Sequence, residues 1–127
     1  MTHCTFTQLC QLAKNNINEV NCDTAQEWQN DTTSPCLIID VREDRERLQI
    51  AIPHSLHLSR GTIECHIEKH VPDRQARIVL HCSGGFRSAL AAESLQKMGY
   101  TEVYSMIGGL QAWVQSGFPT STASDEE

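Results

Sequence analysis

The sequence has few basic side chains and no long apolar run. Its 127 residues include ten lysines and arginines against sixteen aspartates and glutamates, which gives a formal net charge of −6. That balance argues against nucleic acid or an anionic membrane as the main partner. Because no stretch has the length and hydropathy of a secretory signal or a transmembrane helix, we expect a cytoplasmic location.

The six cysteines lack the spacing of a metal site or of a disulfide framework. There is no Cys-x-x-Cys pair, and the pattern is not that of a small secreted protein, so we expect free thiols. His66 and His70 stand four residues apart, which is a metal-ligand spacing, but no third ligand is spaced to match them. The sequence therefore predicts neither a bound metal nor a cofactor.

What the sequence does contain is a series of short apolar runs that alternate with helix-forming segments. The runs at residues 37–39 and 78–80 are nearly continuous, which is typical of central strands that are covered on both faces. The alternation predicts an α/β domain with a mostly parallel central sheet of about five strands, flanked by helices on both faces. The strands are predicted near residues 17–20, 36–41, 55–58, 77–81 and 102–104, and the helices near residues 24–29, 43–49, 62–70, 88–98 and 110–116.

The chain divides into three segments around one core, since its length is that of a single domain. Residues 1–16 are predicted to be an N-terminal extension, whose apolar positions within residues 5–14 favour a short amphipathic helix. Residues 17–119 are predicted to form the domain. The polar, acidic residues 120–127 are expected to be a disordered tail.

The most informative segment is the glycine-bearing loop that follows the strand predicted at residues 77–81. It opens with Cys82 and continues with Ser83, Gly84, Gly85, Phe86 and Arg87. Backbone N–H groups of the glycines and of the next helix's first turn can point at one spot, an arrangement that binds anions. Cys82 beside that spot is predicted to be a reactive thiolate rather than a buried structural thiol.

The helix dipole alone is too weak to produce such a thiolate. A free cysteine has a pKa of about 8.5, and lowering it by ~2 units needs about 2.7 kcal/mol of preference for the charged form. The dipole contributes only ~0.3–1 kcal/mol. We therefore expect the loop N–H groups and Arg87 to supply the remainder, with Ser88 capping the helix.

Four motifs follow one another at ordinary spacing between residues 17 and 119. They are Asp40-Val41-Arg42 with Glu46, the Ile52-Pro53 pair, the Cys82 loop with its helix, and the closing set of Gly108-Gly109, Trp113, Gly117 and Pro119. Together they resemble the single-domain rhodanese family, thiosulfate sulfurtransferase-like proteins that carry sulfur as a cysteine persulfide. The resemblance implies a rhodanese-like fold, with Cys82 as the catalytic cysteine and residues 83–87 as the loop that binds substrate and persulfide.

Loop length distinguishes branches of this family. Cysteine phosphatases place five residues between cysteine and arginine, whereas only four separate Cys82 from Arg87. The shorter loop is similar to that of the sulfurtransferase branch. A phosphatase remains the minor alternative, because the nearest candidate acid, Asp73, is better interpreted as part of a surface turn.

The resemblance implies a sulfurtransferase that moves a sulfane sulfur through a persulfide on Cys82. The donor would be a small anion such as thiosulfate, or a persulfide, and the acceptor cyanide, a thiol or a protein. Arg87 could attract an anionic donor. The alternative is a binding or sulfur-relay module that acts on a partner protein with little small-molecule turnover, because the loop carries little positive charge.

Residues outside the loop are predicted to have supporting, packing or resolving roles. Asp40 and Arg42 are expected to pair and hold neighbouring turns, with Arg42 a lesser candidate for a wall of the pocket. His81 and Trp113 are expected to be packed in the core rather than to act on substrate. Cys65 is a candidate resolving thiol that would form a disulfide with Cys82, against the alternative of an inert half-buried thiol.

Overall fold

A computed structural model describes residues 3–122, and within that range five strands and six helices alternate along the chain. The strands are β1 (Asn18–Val20), β2 (Leu37–Asp40), β3 (Leu56–His57), β4 (Ile78–His81) and β5 (Val103–Met106). The helices are α1 (Phe6–Lys14), α2 (Cys22–Gln29), α3 (Asp44–Gln49), α4 (Ile63–His70), α5 (Arg87–Lys97) and α6 (Gly109–Gln115). None of these helices is long and apolar enough to cross a membrane.

The strands form one parallel sheet in the order β1-β5-β4-β2-β3. This confirms the predicted α/β fold with a parallel sheet of five strands. The central strand β4 lies between β5 and β2, and its last residue, His81, pairs in register with Asp40 at the end of β2. Cys82 therefore leaves the sheet at the carboxyl edge of its middle strand, which is where parallel sheets hold their active loops.

Alternating side chains of the central strands form two separate cores, one on each face of the sheet. Ile39 and Leu80 belong to the core that α4 and α5 cover. Ile38 and Val79 belong to the core that α2 and α6 cover. Because side chains alternate along a strand and helices lie on both faces, the two apolar runs read as nearly continuous in the sequence.

The N-terminal extension is packed onto the domain. Helix α1 begins with a capping box between Thr5 and Gln8, buries Cys10 and Ala13, and runs along α5. Just after α1, Asn16 Nδ2 donates to Glu93 Oε2 of α5 at 3.1 Å. The predicted amphipathic helix is thus present, and its buried face docks it beside the helix that follows the Cys82 loop.

The chain remains paired beyond residue 120, where a disordered tail was expected to begin. Ser121 forms an antiparallel bridge with Ala51, with N···O distances of 2.9 and 2.8 Å. The expected boundary is therefore too early, because two backbone hydrogen bonds hold Ser121 against the domain. Residues 123–127, which make up the rest of the predicted tail, lie outside the described residues.

Candidate active site

The sulfur of Cys82 lies inside its loop, and the residue is only 1% exposed. Its Sγ accepts the backbone N–H of Gly85 at 3.1 Å, and the hydroxyl of Ser88 lies 3.6 Å away. The loop thus directs one N–H group at the sulfur, and the first turn of α5 places a hydroxyl beside it. Both groups can donate to a thiolate or to a sulfur atom bound to it, and donors of this kind favour the charged form.

Gly85 is the glycine that this loop geometry requires. Its φ of +96° lies in the left-handed region, which side chains rarely adopt. A Cβ there would also lie 3.3 Å from the Met106 carbonyl oxygen and 3.3 Å from the Gly108 nitrogen. Glycine lets the loop turn its N–H inward while lying against the chain that follows β5.

Ser88 does not cap helix α5, so that prediction is wrong. The cap position is Phe86, which makes no side-chain capping bond, and Ser88 is in the first turn. Its hydroxyl is fully buried and lies 2.8 Å from the hydroxyl of Ser105 on β5, as well as near Cys82 Sγ. The Ser88 hydroxyl therefore contacts both the sulfur of Cys82 and the Ser105 hydroxyl on β5.

Arg87 is bound by Glu46 rather than left open to an anion. Its Nη1 donates to Glu46 Oε2 at 2.8 Å and its Nη2 to Glu46 Oε1 at 3.0 Å. Hydrogen bonds from Arg87 lower the pKa of Glu46 to about 2, despite partial burial of the carboxylate. Glu46 in turn raises the pKa of Arg87. The expected role of Arg87 in attracting a donor stays a prediction; in this structure Glu46 balances its charge, and the pair holds the loop in shape.

Ser83 belongs to the same pair. Its hydroxyl donates to Glu46 Oε1 at 3.2 Å and accepts from Arg87 Nη2 at 3.3 Å. Glu46 lies on α3, so this contact ties both ends of the Cys82–Arg87 loop to a helix that follows β2. The sequence motif had included Glu46, but its partner could not be identified because 41 positions separate it from Arg87.

Asp40 and Arg42 form the structural pair that was expected. Asp40 is fully buried and accepts from the backbone N–H and the Nε of Arg42, both at 3.0 Å, and from its Nη2 at 2.8 Å. Burial raises the pKa of Asp40, but the hydrogen bonds and charge of Arg42 together with the His81 side chain lower it further, so the net shift is downward. Arg42 is itself 3% exposed, which leaves it no access to a substrate pocket.

His81 is packed behind the loop, as predicted. It is fully buried, its Nδ1 lies 3.2 Å from the Cys82 carbonyl oxygen, and its Nε2 lies 3.9 Å from Asp40 Oδ1 without a hydrogen bond. Burial lowers its pKa, and the carboxylate of Asp40 only partly opposes that shift. The imidazole is therefore neutral near pH 7 and adds no positive charge beside Cys82.

The start of helix α6 supports the loop from the other side. Leu110 N–H donates to the Cys82 carbonyl oxygen at 2.8 Å, and Gln111 N–H donates to the Ser83 carbonyl oxygen at 3.1 Å. A Cβ on Gly109 would lie 2.4 Å from the Cys82 oxygen. The closing Gly-Gly motif thus allows α6 to dock against the loop backbone. Trp113, further along α6, is packed as predicted, with 1% exposure and its Nε1 bonded to the Pro119 carbonyl.

A pocket of about 350 Å³ opens beside Ser83. Its other lining residues are Leu110, Gln111, Val114 and Gln115, so no charged side chain from the described part of the chain lines it. The pocket offers space for a substrate next to the loop, but its walls provide no electrostatic attraction for an anion.

The structure does not bring Cys65 to Cys82. Cys65 is exposed on α4, whereas Ile63 and Ile67 of the same helix face the core that contains Cys82. Residue 65 lies about 200° around the helix from residue 63, so its thiol points away. Another buried thiol, Cys10 of α1, has its pKa raised by burial and, to a lesser degree, by the charge of Cys82. The sequence offered no signal for that proximity.

Two further features concern other chemistries. Asp73, the candidate acid of a phosphatase, accepts the Gln75 N–H at 2.9 Å in a turn that precedes β4, at the opposite edge of the sheet from Cys82. Within residues 3–122, no group of three or more histidine, cysteine, aspartate or glutamate side chains is arranged to hold a metal ion.

Proteins of known sequence resemble this chain over most of its length. A family model of the rhodanese-like domain matches residues 21–116. The thiosulfate sulfurtransferase GlpE of Coxiella burnetii is 32% identical over 97 residues, which are 76% of this chain and 88% of that protein. A sulfurtransferase of Allochromatium vinosum is 31% identical over 103 residues, which are 81% of this chain and 94% of that protein.

Solved structures match the fold and extend the similarity. A Rhodopseudomonas palustris protein of unknown function, described as a possible tyrosine phosphatase, has a TM-score of 0.80 and 30% identity, and the match covers 95% of this chain and 96% of that one. The polysulfide-sulfur transferase homodimer of Wolinella succinogenes has a TM-score of 0.79 and 26% identity, and the match covers 94% of this chain and 88% of that one. Both matches cover so much of this chain that they include part of its N-terminal extension. From the family model and the curated relatives together, we conclude that this chain belongs to the rhodanese-like domain family.

Proposed function

We propose that the chain is a sulfurtransferase that carries sulfane sulfur as a persulfide on Cys82. The observation that carries the proposal is the hydrogen bond from Gly85 N–H to Cys82 Sγ at 3.1 Å, with the Ser88 hydroxyl 3.6 Å away. These donors favour a thiolate and would equally stabilise the negative charge of a persulfide. Relatives named as sulfurtransferases, at 31–32% identity, support the same activity.

The reaction is a double displacement. The Cys82 thiolate attacks the outer sulfur of thiosulfate, the S–S bond of the donor breaks, and sulfite leaves with the bonding electron pair. Cys82 then carries a persulfide anion. An acceptor such as cyanide attacks the terminal sulfur, leaves as thiocyanate, and restores the thiolate, so that no oxidant, metal or cofactor takes part.

The loop favours sulfur over phosphate. Four residues separate Cys82 from Arg87, and the guanidinium of Arg87 is bound at both ends to Glu46. An arginine held in this way is not free to grip a tetrahedral phosphate with two hydrogen bonds. The relative described as a possible tyrosine phosphatase makes a direct check worthwhile.

Thiocyanate formation from thiosulfate and cyanide tests the activity. We expect double-reciprocal plots at several cyanide concentrations to be parallel, as ping-pong kinetics require, and Cys82→Ala to be inactive. Cys36→Ala, which removes a buried thiol outside the loop, is the matched control and should retain activity. Release of phosphate from an aryl phosphate, without any thiocyanate, would contradict the proposal.

A sulfur-relay module is the second candidate, because exposed apolar side chains lie near the loop. Phe86 is 37% exposed, and Ile107 and Val114 are about half exposed. A rim of this kind suits contact with a protein that delivers or receives sulfur. In that case, thiosulfate would load Cys82 poorly while a protein persulfide would load it rapidly, and the two loading rates measured by intact mass decide between the candidates.

A further inference from the structure

The Cys82 loop has no unbalanced positive charge of its own. Ser83, Gly84, Gly85 and Phe86 are neutral, and Arg87 is paired with Glu46 through two short hydrogen bonds. Glu43 adds a further negative charge near Arg87. A dianion such as thiosulfate would therefore approach a loop whose own side chains offer it no net attraction.

Helix α1 brings a cation to this loop from outside the segment that the family model matches. Lys14 Nζ lies 4.7 Å from the centre of the Phe86 ring, in a cation–π contact. Phe6, two turns earlier in α1, packs against the same ring with a centroid distance of 6.4 Å. One helix thus holds the loop's aromatic side chain between an apolar residue and an ammonium group.

Lys14 is held in place, and no ion pair within residues 3–122 neutralises it. Cys10 and Ala13 are buried on the neighbouring face of α1, and Asn16 is bonded to Glu93, so both sides of Lys14 are anchored. Among the described residues no carboxylate pairs with Lys14. Burial raises the pKa of the Cys10 thiol, Cys82 raises it further and Lys14 lowers it, so both side chains are within electrostatic range of this buried residue of α1.

We propose that Lys14 is the electrostatic determinant of the sulfur donor: its ammonium group, held over Phe86, attracts anionic donors to Cys82 in place of a charge within the loop. This inference rests on the proposed sulfurtransferase function and specifies its substrate class. Donors with two negative charges benefit more than donors with one, because the attraction scales with charge. The contribution falls as salt is added, because Lys14 is partly exposed.

Two donors that share a reacting sulfur separate charge from chemistry. Thiosulfate is a dianion, whereas methanethiosulfonate replaces one oxygen by a methyl group and is a monoanion. For Lys14→Glu, we expect kcat/KM with thiosulfate to fall about tenfold at low salt, mainly through KM, and to fall only about threefold with methanethiosulfonate. Lys14→Arg, which keeps the positive charge, should retain the wild-type values. Equal kcat/KM for wild type and Lys14→Glu with thiosulfate would overturn the inference.

Lys97→Glu is the matched control. Lys97 is an exposed lysine in the last turn of α5, about 15 Å along that helix from Arg87. Its replacement changes the net charge by the same amount as Lys14→Glu without altering the surroundings of Phe86. We expect Lys97→Glu to match wild type with both donors, and a fall equal to that of Lys14→Glu would show that only net charge matters, which contradicts the inference.

A second measurement does not depend on sulfur transfer. The alkylation rates of Cys82 by iodoacetate and by iodoacetamide, read from peptide masses, give a ratio that reports the potential at the thiol. Lys14→Glu should lower this ratio about threefold at Cys82 and leave it unchanged at exposed Cys65 in the same sample. An unchanged ratio at Cys82 overturns the role of Lys14. If the ratio falls at Cys82 but the protein never accepts sulfur, the role of Lys14 is supported and the proposed function is overturned.

Discussion

Individual contacts surround the sulfur of Cys82, and no charged side chain of the loop itself is left unbalanced beside it. Gly85 supplies a backbone N–H, Ser88 supplies a hydroxyl, and Arg87 is paired with Glu46. Of the two donors, only Ser88 can be removed by mutation without changing the backbone. Replacing Ser88 therefore tests whether its hydroxyl stabilises a thiolate on Cys82.

We predict that Ser88→Ala slows alkylation of Cys82 by iodoacetamide about fivefold at neutral pH. A hydrogen bond to a charged group contributes about 1.5–3 kcal/mol, and one of 3.6 Å to sulfur is expected to contribute about 1 kcal/mol. Ser94→Ala, on the same helix but away from the loop, is the control. If both variants react at the wild-type rate, the hydroxyl does not stabilise the thiolate.

Secondary-structure elements position the loop, and α6 does so through close backbone contact. Its first N–H groups bind the carbonyl oxygens of Cys82 and Ser83, and this contact depends on Gly109, which has a φ of +55°. Gly117, at the other end of α6, also has a positive φ of +78°, but a Cβ there would meet nothing within 4 Å. Comparing alanine substitutions at the two glycines therefore separates the cost of backbone strain from the cost of lost contact with the loop.

We predict that Gly109→Ala lowers the free energy of unfolding by about 2–5 kcal/mol, because strain of about 1–2 kcal/mol adds to about 1–3 kcal/mol of overpacking against the loop backbone. Gly117→Ala should cost only the strain, about 1–2 kcal/mol. Urea unfolding measures both. Gly109→Ala should also slow alkylation of Cys82, and equal destabilisation by the two variants would show that the contact of α6 with the loop is unimportant.

The strands and helices could be predicted because their signals are local. Continuous apolar runs identified β2 and β4, and the turn chemistry of the Cys82 loop placed it between a strand and a helix. Contacts between distant segments could not be predicted in this way. The pairs Arg87–Glu46, Ser88–Ser105 and Lys14–Phe86 join residues 41, 17 and 72 positions apart, and only the folded sheet brings them together.

Considered as a whole, the molecule places three titratable groups with lowered pKa values at one edge of the sheet. Asp40, Glu46 and His81 all lie near the carboxyl ends of β2 and β4, and folding lowers the pKa of each. Lowered pKa values mean that the unfolded chain binds protons at pH values where the folded protein does not. Stability therefore decreases as the pH falls through the range in which the unfolded groups titrate.

We predict two steps of destabilisation on acidification. The first begins below about pH 6.5, where His81 becomes protonated in the unfolded chain only. The second begins below about pH 4.5 and continues toward the folded pKa of Glu46 at about 2. Glu46 should account for about 1–2 kcal/mol of the second step, after allowance for its partial exposure.

Urea unfolding between pH 7.5 and 3 checks this prediction. Glu46→Gln should flatten the second step and leave the first, whereas His81→Asn should flatten the first. Glu27→Gln, an exposed carboxylate on α2, is the control and should change neither. A pH profile of Glu46→Gln that parallels wild type below pH 4.5 would show that the pair with Arg87 does not contribute to stability.

Whether Cys82 carries sulfur is tested by the intact mass of the protein after incubation with thiosulfate and without an acceptor. We predict a gain of one sulfur atom, located on the peptide that contains Cys82, lost on addition of cyanide and absent in Cys82→Ser. The five other cysteines should remain unmodified. A protein that gains no sulfur from thiosulfate or from any persulfide donor, although Cys82 is free to be alkylated, would contradict the account.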